Sequence, residues 1–327
     1  MNRMLASARV IVLGIATLSA AAAVAQPWPG KPVRMVIPWP PGGGNDILGR
    51  VLAEAMTGPL GQQVLVDNRG GANGLIGAEA VARAAPDGYT IMFHSASTHL
   101  INAAFYKKVP YETITDFAPV TLIGEAAHAL VANPAFPART VREVIALAQA
   151  KPDMITYASF GTGSTSHLSG ALFSSMMKVK VTHVPYKGSG PALADTIAGH
   201  VPLFFPTVAG ALPAIRAGRL RAIAVTSSTR SRSLPDVPTM DEGSGMRGFE
   251  TTAMYAVWAP ARTPEPIIAR LNTDITRLLK TPSFAAILEA RGVDRIVPST
   301  PEGMTAYLSD QAPKWAKLAQ ESGARAE

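Results

Sequence analysis

Two glycine-rich runs stand where β-prone segments give way to helical patterns, and each could hold an anion. The first leads from Pro38 through Gly42, Gly43 and Gly44 to Asp46. At such a junction the first N–H groups of the helix lack intrahelical partners, and the helix dipole adds positive potential. Glycine lets this backbone approach a ligand closely. The run predicts a site for a carboxylate or carbonyl oxygen, although turns of this composition commonly serve only as turns.

The second run, which reads FGTGSTS from Phe160 onward, has the same arrangement with added hydroxyl groups. Gly161 and Gly163 leave the backbone accessible, and Ser164 and Thr165 could hydrogen-bond a carboxylate. The same two hydroxyls could instead cap the following helix. If the two runs face each other across a cleft, they suit a ligand with an acidic group at each end.

Five side chains near these runs each have a functional and a structural interpretation. Trp39 and Phe160 could form the aromatic walls of a small-molecule pocket, or they could belong to the core. Asp46 could bind a ligand amine or hydroxyl, or it could complement the helix dipole. Lys187 could neutralise a carboxylate or lie on the surface. His167 is one turn inside its helix, where a histidine is more commonly packed than catalytic.

The patterns of several enzyme classes are absent. The sequence has no G-x-x-x-x-G-K-[ST], no G-x-G-x-x-G, no G-x-S-x-G and no H-E-x-x-H. Ser175–Lys178 matches S-x-x-K, but its companion motifs S-D-N and K-T-G are missing. The chain has no cysteine, which excludes disulfides and thiolate chemistry. We therefore expect neither catalytic residues, nor a metal site, nor a cofactor.

Composition indicates an exported globular protein. Of 327 residues, 47% are hydrophobic and 16% are charged, which is typical of a folded chain. The formal net charge of +7 comes from scattered Lys and Arg residues, so nucleic-acid binding is not expected. Residues 1–25 combine an arginine-containing start, an apolar Ala-rich run and a small-residue cleavage site. They predict a secretory signal peptide cut after Ala25, and hence a periplasmic location.

Strand and helix patterns alternate along the rest of the chain, which predicts an α/β fold with mostly parallel sheets. Two β-prone segments interrupt this alternation and are predicted to cross between two lobes. The first lobe is expected to contain residues 26–123 and 253–327, and the second lobe residues 124–252. Such an organisation is the outline of a hinged binding protein.

Four segments of the sequence resemble signature segments of the Bug receptors, the periplasmic solute-binding proteins of tripartite tricarboxylate transporters. They are Pro32–Asp46, Asn68–Ala72, Ala85–Thr90 and Val184–Gly188. The resemblance spans essentially the whole mature chain. It implies a two-lobed periplasmic-binding-protein fold of the type II-like kind, with two crossover strands at the hinge, which closes on a small carboxylate. In that family, the loop after the first strand holds one ligand carboxylate, partly through waters and backbone groups.

The resemblance assigns ligand binding to residues of both lobes. Those of the first lobe are Pro40, Gly42, Gly43, Asp46, Ser95 and Thr98, beside Trp39. Those of the second lobe are Gly161, Thr162, Gly163, Ser164, Thr165, His167, Tyr186, Lys187 and Thr207, beside Phe160. Ligand identity stays open among dicarboxylates, aromatic acids and amino acids.

The sequence thus predicts a monomeric receptor that presents an organic acid to the subunits of a membrane transporter. Two other functions remain open at this point. A receptor of this kind could serve a signalling partner instead of a transporter, since a docking surface leaves no motif. An exported hydrolase would need an activated nucleophile, and the sequence offers no motif for one.

Overall fold

The computed structural model describes residues 28–152 and 154–322, and the predicted signal peptide, residues 1–25, lies outside them. Strands and helices alternate along this part of the chain, and the strands form two sheets. The predicted α/β architecture with two lobes is therefore confirmed. None of the described helices is both long enough and apolar enough to cross a membrane.

Short, mostly apolar segments form the strands of both sheets. The six-stranded sheet contains β1 (Val33–Ile37), β2 (Val64–Asn68), β3 (Thr90–Ser95), β4 (Phe117–Ala127), β10 (Thr252–Pro260) and β11 (Arg295–Ile296). The five-stranded sheet contains β5 (Ala129–Ala132), β6 (Thr156–Ser159), β7 (Thr182–Pro185), β8 (Leu203–Phe204) and β9 (Arg221–Val225). We call each sheet, with the helices that flank it, the first lobe and the second lobe, respectively.

Each sheet combines parallel strands with antiparallel crossover strands. In the first lobe the order is β11-β4-β10-β3-β1-β2; β2, β1 and β3 are parallel, and β10 runs antiparallel to β3 and β4. In the second lobe the order is β7-β6-β8-β5-β9; β7, β6 and β8 are parallel, and β5 runs antiparallel to β8 and β9. The parallel strands of a sheet end at one edge, so the loops that follow them are brought together.

The described helices follow the strands in the order that the alternating pattern predicts. They are α1 (Gly44–Leu60), α2 (Leu75–Ala82), α3 (Ala96–Phe105), α4 (Val141–Ala150), α5 (Thr165–Met177), α6 (Ser189–Ala198), α7 (Val208–Arg216), α8 (Met240–Ser244), α9 (Glu265–Leu279), α10 (Pro282–Ala290) and α11 (Pro301–Glu321). A single 3-10 turn, Ala72–Gly74, precedes α2.

The chain passes between the sheets at two adjacent places. It runs from β4 through His128 into β5, and it returns between Thr226 and Thr251 into β10. The N–H of His128 donates to Thr226 Oγ1 (2.9 Å), and the Thr226 hydroxyl donates to the carbonyl of Thr251 (2.5 Å). These bonds tie the two crossings side by side. The exact residue limits of the lobes stay a prediction, and we propose that the hinge lies at these three residues.

The first sheet has a core on each face, because its central strands alternate between two sets of helices. Val33 and Ile37 belong to the same buried cluster as Leu48 and Leu52 of α1. Val36, which points to the other face, belongs to the cluster of Leu75 and the α3 residues. Period-two alternation of apolar side chains on a strand buried on both faces explains this arrangement.

Local contacts set the course of two elements in the first lobe. The strand β4 continues through Gly124, where a Cβ would lie only 2.7 Å from the carbonyl oxygen of Arg295 on β11. Glycine is thus a packing requirement there and not a break. The helix α3 follows β3 directly because Ser95, predicted as a site residue, accepts the N–H of Thr98 as its N-cap.

We expect Gly170→Ala to destabilise the second lobe. Gly170 lies inside α5 without a positive φ, and a Cβ at this position would overlap the ring of Tyr157 on β6. Overpacking a buried aromatic ring should lower the free energy of unfolding by about 1–3 kcal/mol, as measured by urea denaturation. As the control, Gly58→Ala places a methyl group in α1 with no atom within 4 Å. It should change the free energy of unfolding by no more than about 0.5 kcal/mol, and equal behaviour of the two variants would contradict the packing argument.

Candidate ligand-binding cleft

A cavity of about 830 Å³ lies between the lobes. Its first-lobe wall consists of Trp39, Pro40, Pro41, Asn68, Gly70, Gly71, Ala72, Asn73 and Tyr106. Its second-lobe wall consists of Phe160, Gly161, Thr162, Pro185, Tyr186, Lys187 and Gly188. The volume falls in the upper part of the range of roughly 300–1,000 Å³ that is typical of small-molecule sites. We call this space the main cavity.

A second, much smaller space adjoins the main cavity and shares Trp39, Pro40 and Phe160 with it. Its remaining lining residues are Gly43, Gly44, Asn45, Ser189 and Thr207. Its volume of about 20 Å³ leaves room for about one water-sized group, such as a carboxylate oxygen. We call it the side cavity. The two spaces together contain the predicted site residues Trp39, Pro40, Gly43, Phe160, Gly161, Thr162, Tyr186, Lys187 and Thr207.

Two helix N-termini, one from each lobe, meet at the side cavity. Gly43 is the N-cap of α1 and Gly188 is the N-cap of α6, and neither helix receives a side-chain cap hydrogen bond. A Cβ added to Gly43 would lie 3.1 Å from Cβ of Ser189, the first residue of α6. Because uncapped N-termini present backbone N–H groups and positive potential, their junction can hold an anion.

Asp46 supports the first glycine loop and lines neither cavity. Its carboxylate accepts three hydrogen bonds, from the N–H of Gly42 (2.9 Å), from Nε of Arg50 (2.9 Å) and from Nδ2 of Asn68 (2.9 Å). The residue is only 5% exposed. Asn68 also donates to the carbonyl of Trp39 (3.0 Å). The carboxylate therefore joins the loop, α1 and the end of β2 into one rigid unit.

The second glycine loop uses most of its hydrogen-bonding groups internally. The N–H of Gly161 donates to Ser159 Oγ (3.1 Å), and the N–H of Gly163 donates to Nδ1 of His167 (3.1 Å). The hydroxyl of Ser164 donates to the carbonyl of Gly161 (2.6 Å) and caps α5 by accepting the N–H of His167 (3.2 Å). Gly163, Ser164 and His167 are thus placed behind the cavity wall that Gly161 and Thr162 form.

Three predicted site residues lie deeper in the protein than the cleft. Ser95 and Thr98 are at most 2% exposed and form the capped start of α3. The hydroxyl of Thr165 donates to Nε2 of His128 (2.9 Å), whose Nδ1 faces the carbonyl of Thr251 (3.3 Å). These groups position the hinge and the helix ends, and none of the three lines either cavity.

The aromatic walls present ring surfaces to the main cavity, because their polar atoms bond to the protein. Trp39 and Phe160 meet edge-to-face across the lobes, with ring centroids 5.4 Å apart. Nε1 of Trp39 donates to Nδ1 of His94 (3.2 Å). The hydroxyl of Tyr106 donates to the carbonyl of Thr162 in the opposite lobe (3.3 Å).

Tyr186 adds a further ring to the second-lobe wall. Its hydroxyl donates to Oδ2 of Asp195 (2.7 Å), and burial, together with this acidic neighbour, raises the pKa of the phenol to about 12. The phenol therefore stays neutral. Lys187, which is exposed, is the one cationic side chain among the described residues that line the main cavity.

The histidines around the cleft are held in their neutral form. Burial lowers the pKa of His128 and His167 to about 4. His183 stacks on His167 with ring centroids 4.0 Å apart, and burial together with that neighbour lowers its pKa to about 3. Burial, followed by the charge of His99, lowers the pKa of His94 well below its ordinary value. Across residues 28–152 and 154–322, no cluster of three or more His, Asp or Glu side chains could hold a metal ion.

The sequence reasoning missed part of the cavity wall. Asn68, Gly70, Gly71, Ala72, Asn73, Tyr106 and Gly188 line the main cavity, and Ser189 lines the side cavity. The segment Asn68–Ala72 was singled out by its resemblance to a family segment, and that signal could have placed it at the site. Tyr106 follows α3, a helix that the sequence analysis did not predict, so no comparable signal identifies it.

Comparison with known proteins identifies relatives over nearly the whole chain. Residues 48–324 match the family model of the tripartite tricarboxylate transporter family receptor. The chain is 37% identical to protein BugT of Bordetella pertussis, and the match covers 99% of both chains.

Solved structures agree with this result. The R. palustris protein Rpa4515, solved with adipate, superposes with a TM-score of 0.88 at 34% identity, covering 91% of this chain and 99% of the other. MatC from Rhodopseudomonas palustris, solved with bound malate, superposes with a TM-score of 0.82 at 33% identity, covering 89% of this chain and all (100%) of the other.

We predict that stability falls as the pH decreases below about 6.5, and that His167→Gln reduces this dependence. The pKa of His167 is about 4 in the folded protein and roughly 6.5 in an unfolded chain. Between these values the unfolded state binds more protons, so its population rises with acidity. Glutamine keeps an acceptor for the N–H of Gly163 but cannot be protonated. The free energy of unfolding can be measured by urea denaturation at several pH values between 4.5 and 7.5. Its slope against pH should be smaller in the variant by up to ~1.4 kcal/mol per pH unit.

The matched control is His200→Gln, because the side chain of His200 is 71% exposed. Because this ring is not buried, its replacement does not remove the burial on which the prediction depends, and the slope should change less than in His167→Gln. A slope that responds equally to both substitutions would contradict the role assigned to burial.

Proposed function

Because the chain belongs to the family of tripartite tricarboxylate transporter receptors, we propose that it binds one small organic carboxylate between its lobes and presents it to a membrane transporter. The observation that carries the proposal is the meeting of two uncapped helix N-termini, from different lobes, at the side cavity. Anions are stabilised at helix N-termini by the N–H groups and by the dipole. The binding requires no covalent step.

The carboxylate occupies the side cavity, and the rest of the ligand extends into the main cavity. The side cavity offers room for about one water-sized group beside Gly43, Gly44 and Ser189. The main cavity continues from it along Trp39 and Phe160. Backbone donors that are already in position lose no side-chain entropy when they bind, which favours affinity for a small ligand.

Ligand binding is coupled to closure of the lobes. Beside the cleft, the lobes touch through Trp39 against Phe160, through the hydroxyl of Tyr106 on the carbonyl of Thr162, and through Gly43 against Ser189. The ligand is enclosed between the same walls, so it favours the closed arrangement over an open one. A hinge at the two crossings would let the lobes separate.

Members of this family are periplasmic receptors, and the N-terminal sequence of this chain extends the proposal to its location and partner. Residues 1–25 have the composition of a secretory signal peptide, and we propose that cleavage follows Ala25. A mature, monomeric receptor in the periplasm could then meet the transporter at the membrane surface. Uptake of the identified ligand by cells, with and without the receptor gene, tests this partner. Unchanged uptake would favour a signalling role.

The ligand class can be tested by a thermal-shift screen of the mature protein against dicarboxylates, aromatic acids and amino acids. A true ligand at a hundredfold excess over its Kd should add about 2.7 kcal/mol to the stability. If no organic carboxylate in the screen raises the melting temperature, the proposed function is wrong.

Gly43→Val should abolish the ligand-induced shift while the melting temperature without ligand stays nearly unchanged. Gly43 has an extended backbone (φ −91°, ψ 172°) that any residue adopts, so the substitution causes no local strain. Its side chain would instead occupy the space that Ser189 fills in the closed arrangement, where even a Cβ would lie 3.1 Å from Cβ of Ser189. Closure, and with it tight binding, is therefore blocked.

Gly58→Val serves as the control in the same helix, because a Cβ at Gly58 meets no atom within 4 Å. This variant should keep the ligand-induced shift. A Gly43→Val protein that loses stability equally with and without ligand would mean that the loop has only a structural role.

A further inference from the structure

One polar atom at the wall of the main cavity has no partner in the protein. Asn73 lies in the 3-10 turn before α2, lines the main cavity and is only 8% exposed. Its Oδ1 is buried and receives no hydrogen bond. Buried carbonyl oxygens are normally paired, because leaving one unpaired costs free energy. This acceptor therefore calls for a donor from outside the chain.

The orientation of the Asn73 amide follows from its neighbour Asn102. Nδ2 of Asn102 donates to the backbone carbonyl of Asn73 (3.0 Å), which fixes Asn102 with its Oδ1 toward the Asn73 side chain. That oxygen accepts a hydrogen bond from Nδ2 of Asn73 (2.7 Å). Because Nδ2 of Asn73 is the only atom of its amide that can donate this bond, Oδ1 is the end left without a partner.

The unpaired oxygen faces the second lobe. A Cβ added to Gly161 would lie 4.0 Å from Oδ1 of Asn73, so the absence of a side chain at Gly161 leaves space beside the acceptor. Asn73 also has a left-handed backbone (φ 53°, ψ 35°), a conformation that asparagine tolerates better than most residues. The turn thus keeps the amide at the wall shared by both lobes.

The polar atoms of the aromatic side chains around this acceptor already have partners in the protein. Nε1 of Trp39 bonds to His94, and the hydroxyls of Tyr106 and Tyr186 bond within the protein. Four aromatic rings, including Phe160, consequently offer apolar surface to the ligand. Such walls favour a flat, apolar ligand body over a short, fully polar chain.

We propose that the ligand is an aromatic carboxylate that carries a hydroxyl or amino group, and that this group donates a hydrogen bond to Oδ1 of Asn73. The inference rests on the proposed function, because it places the carboxylate of the same ligand at the side cavity. Asn73 then determines specificity: it accepts from ligands that carry the donor, and it stays unpaired when the ligand lacks one.

The test compares acids that differ only in the donor, by calorimetry on the mature protein. The pairs are benzoate with 4-hydroxybenzoate and 4-aminobenzoate, 3-phenylpropanoate with 3-(4-hydroxyphenyl)propanoate, and succinate with malate. In at least one aromatic pair, the donor-bearing acid should bind about ten- to a hundredfold more tightly. This ratio of affinities, which we call the advantage of the donor, should exceed the ratio of the affinity for malate to that for succinate.

Asn73→Gly should reduce that advantage to about onefold, while the affinity for the acid without a donor changes little. Glycine accepts the left-handed backbone, so the turn is retained. The matched control is Ala72→Gly at the preceding residue, which also lines the cavity with a positive φ of 46° but has no polar side chain. This control should keep the full advantage.

The outcomes separate the two proposals. If no carboxylate binds, the proposed function fails. If acids with and without the donor bind equally, or if Asn73→Gly keeps the advantage, the assignment of Asn73 is overturned while the receptor function stands. If only malate and succinate bind, the aromatic class is overturned.

Discussion

The geometry of the cleft depends on a buried carboxylate that lines neither cavity. Asp46 accepts hydrogen bonds from Gly42, Arg50 and Asn68, and so joins the loop after β1 to α1 and to the end of β2. Arg50 balances its charge at 2.9 Å, so the α1 N-terminus is not next to an uncompensated negative charge. Because the loop is fixed in this way, Gly43 can meet Ser189 with its bare backbone. The acid that the sequence suggested as a ligand partner acts here as the support of the loop.

A consequence of this arrangement is that the cleft carries little charge of its own. The histidines around it are buried and neutral, and the aromatic hydroxyls bond within the protein. The charge of a bound anion must then be met chiefly by backbone dipoles at the two helix N-termini and by Lys187. Backbone groups of this kind recognise a carboxylate whatever is attached to it. The walls of the main cavity are therefore left to distinguish one ligand body from another.

The sequence predicts the elements of the fold better than the walls of the site, and particular residues show why. The alternation of strands and helices follows from local periodicity, and local capping explains where α4 begins, since Thr140 accepts the N–H of Glu143 as its N-cap. The contact of Gly43 with Ser189, and of Asn73 with Asn102, joins residues far apart in sequence, so local patterns cannot reveal it. Likewise, the composition of the second glycine-rich run does not reveal that its N–H and hydroxyl groups form hydrogen bonds within the same lobe.

Closure of the lobes links the hinge to the ligand through a short chain of contacts. His128 at the first crossing stacks on Phe160 at 6.2 Å, and Phe160 meets Trp39 of the opposite lobe. An edge-to-face pair of this kind contributes only about 0.5–1.5 kcal/mol, and the single bond from Tyr106 to Thr162 contributes a similar amount. To move the lobes from 1% to 99% closed, a ligand must favour the closed form by roughly 5.5 kcal/mol. Contacts between the lobes outside the cleft, such as the ion pair of Arg232 with Glu289, supply part of that difference, and the ligand must supply the rest.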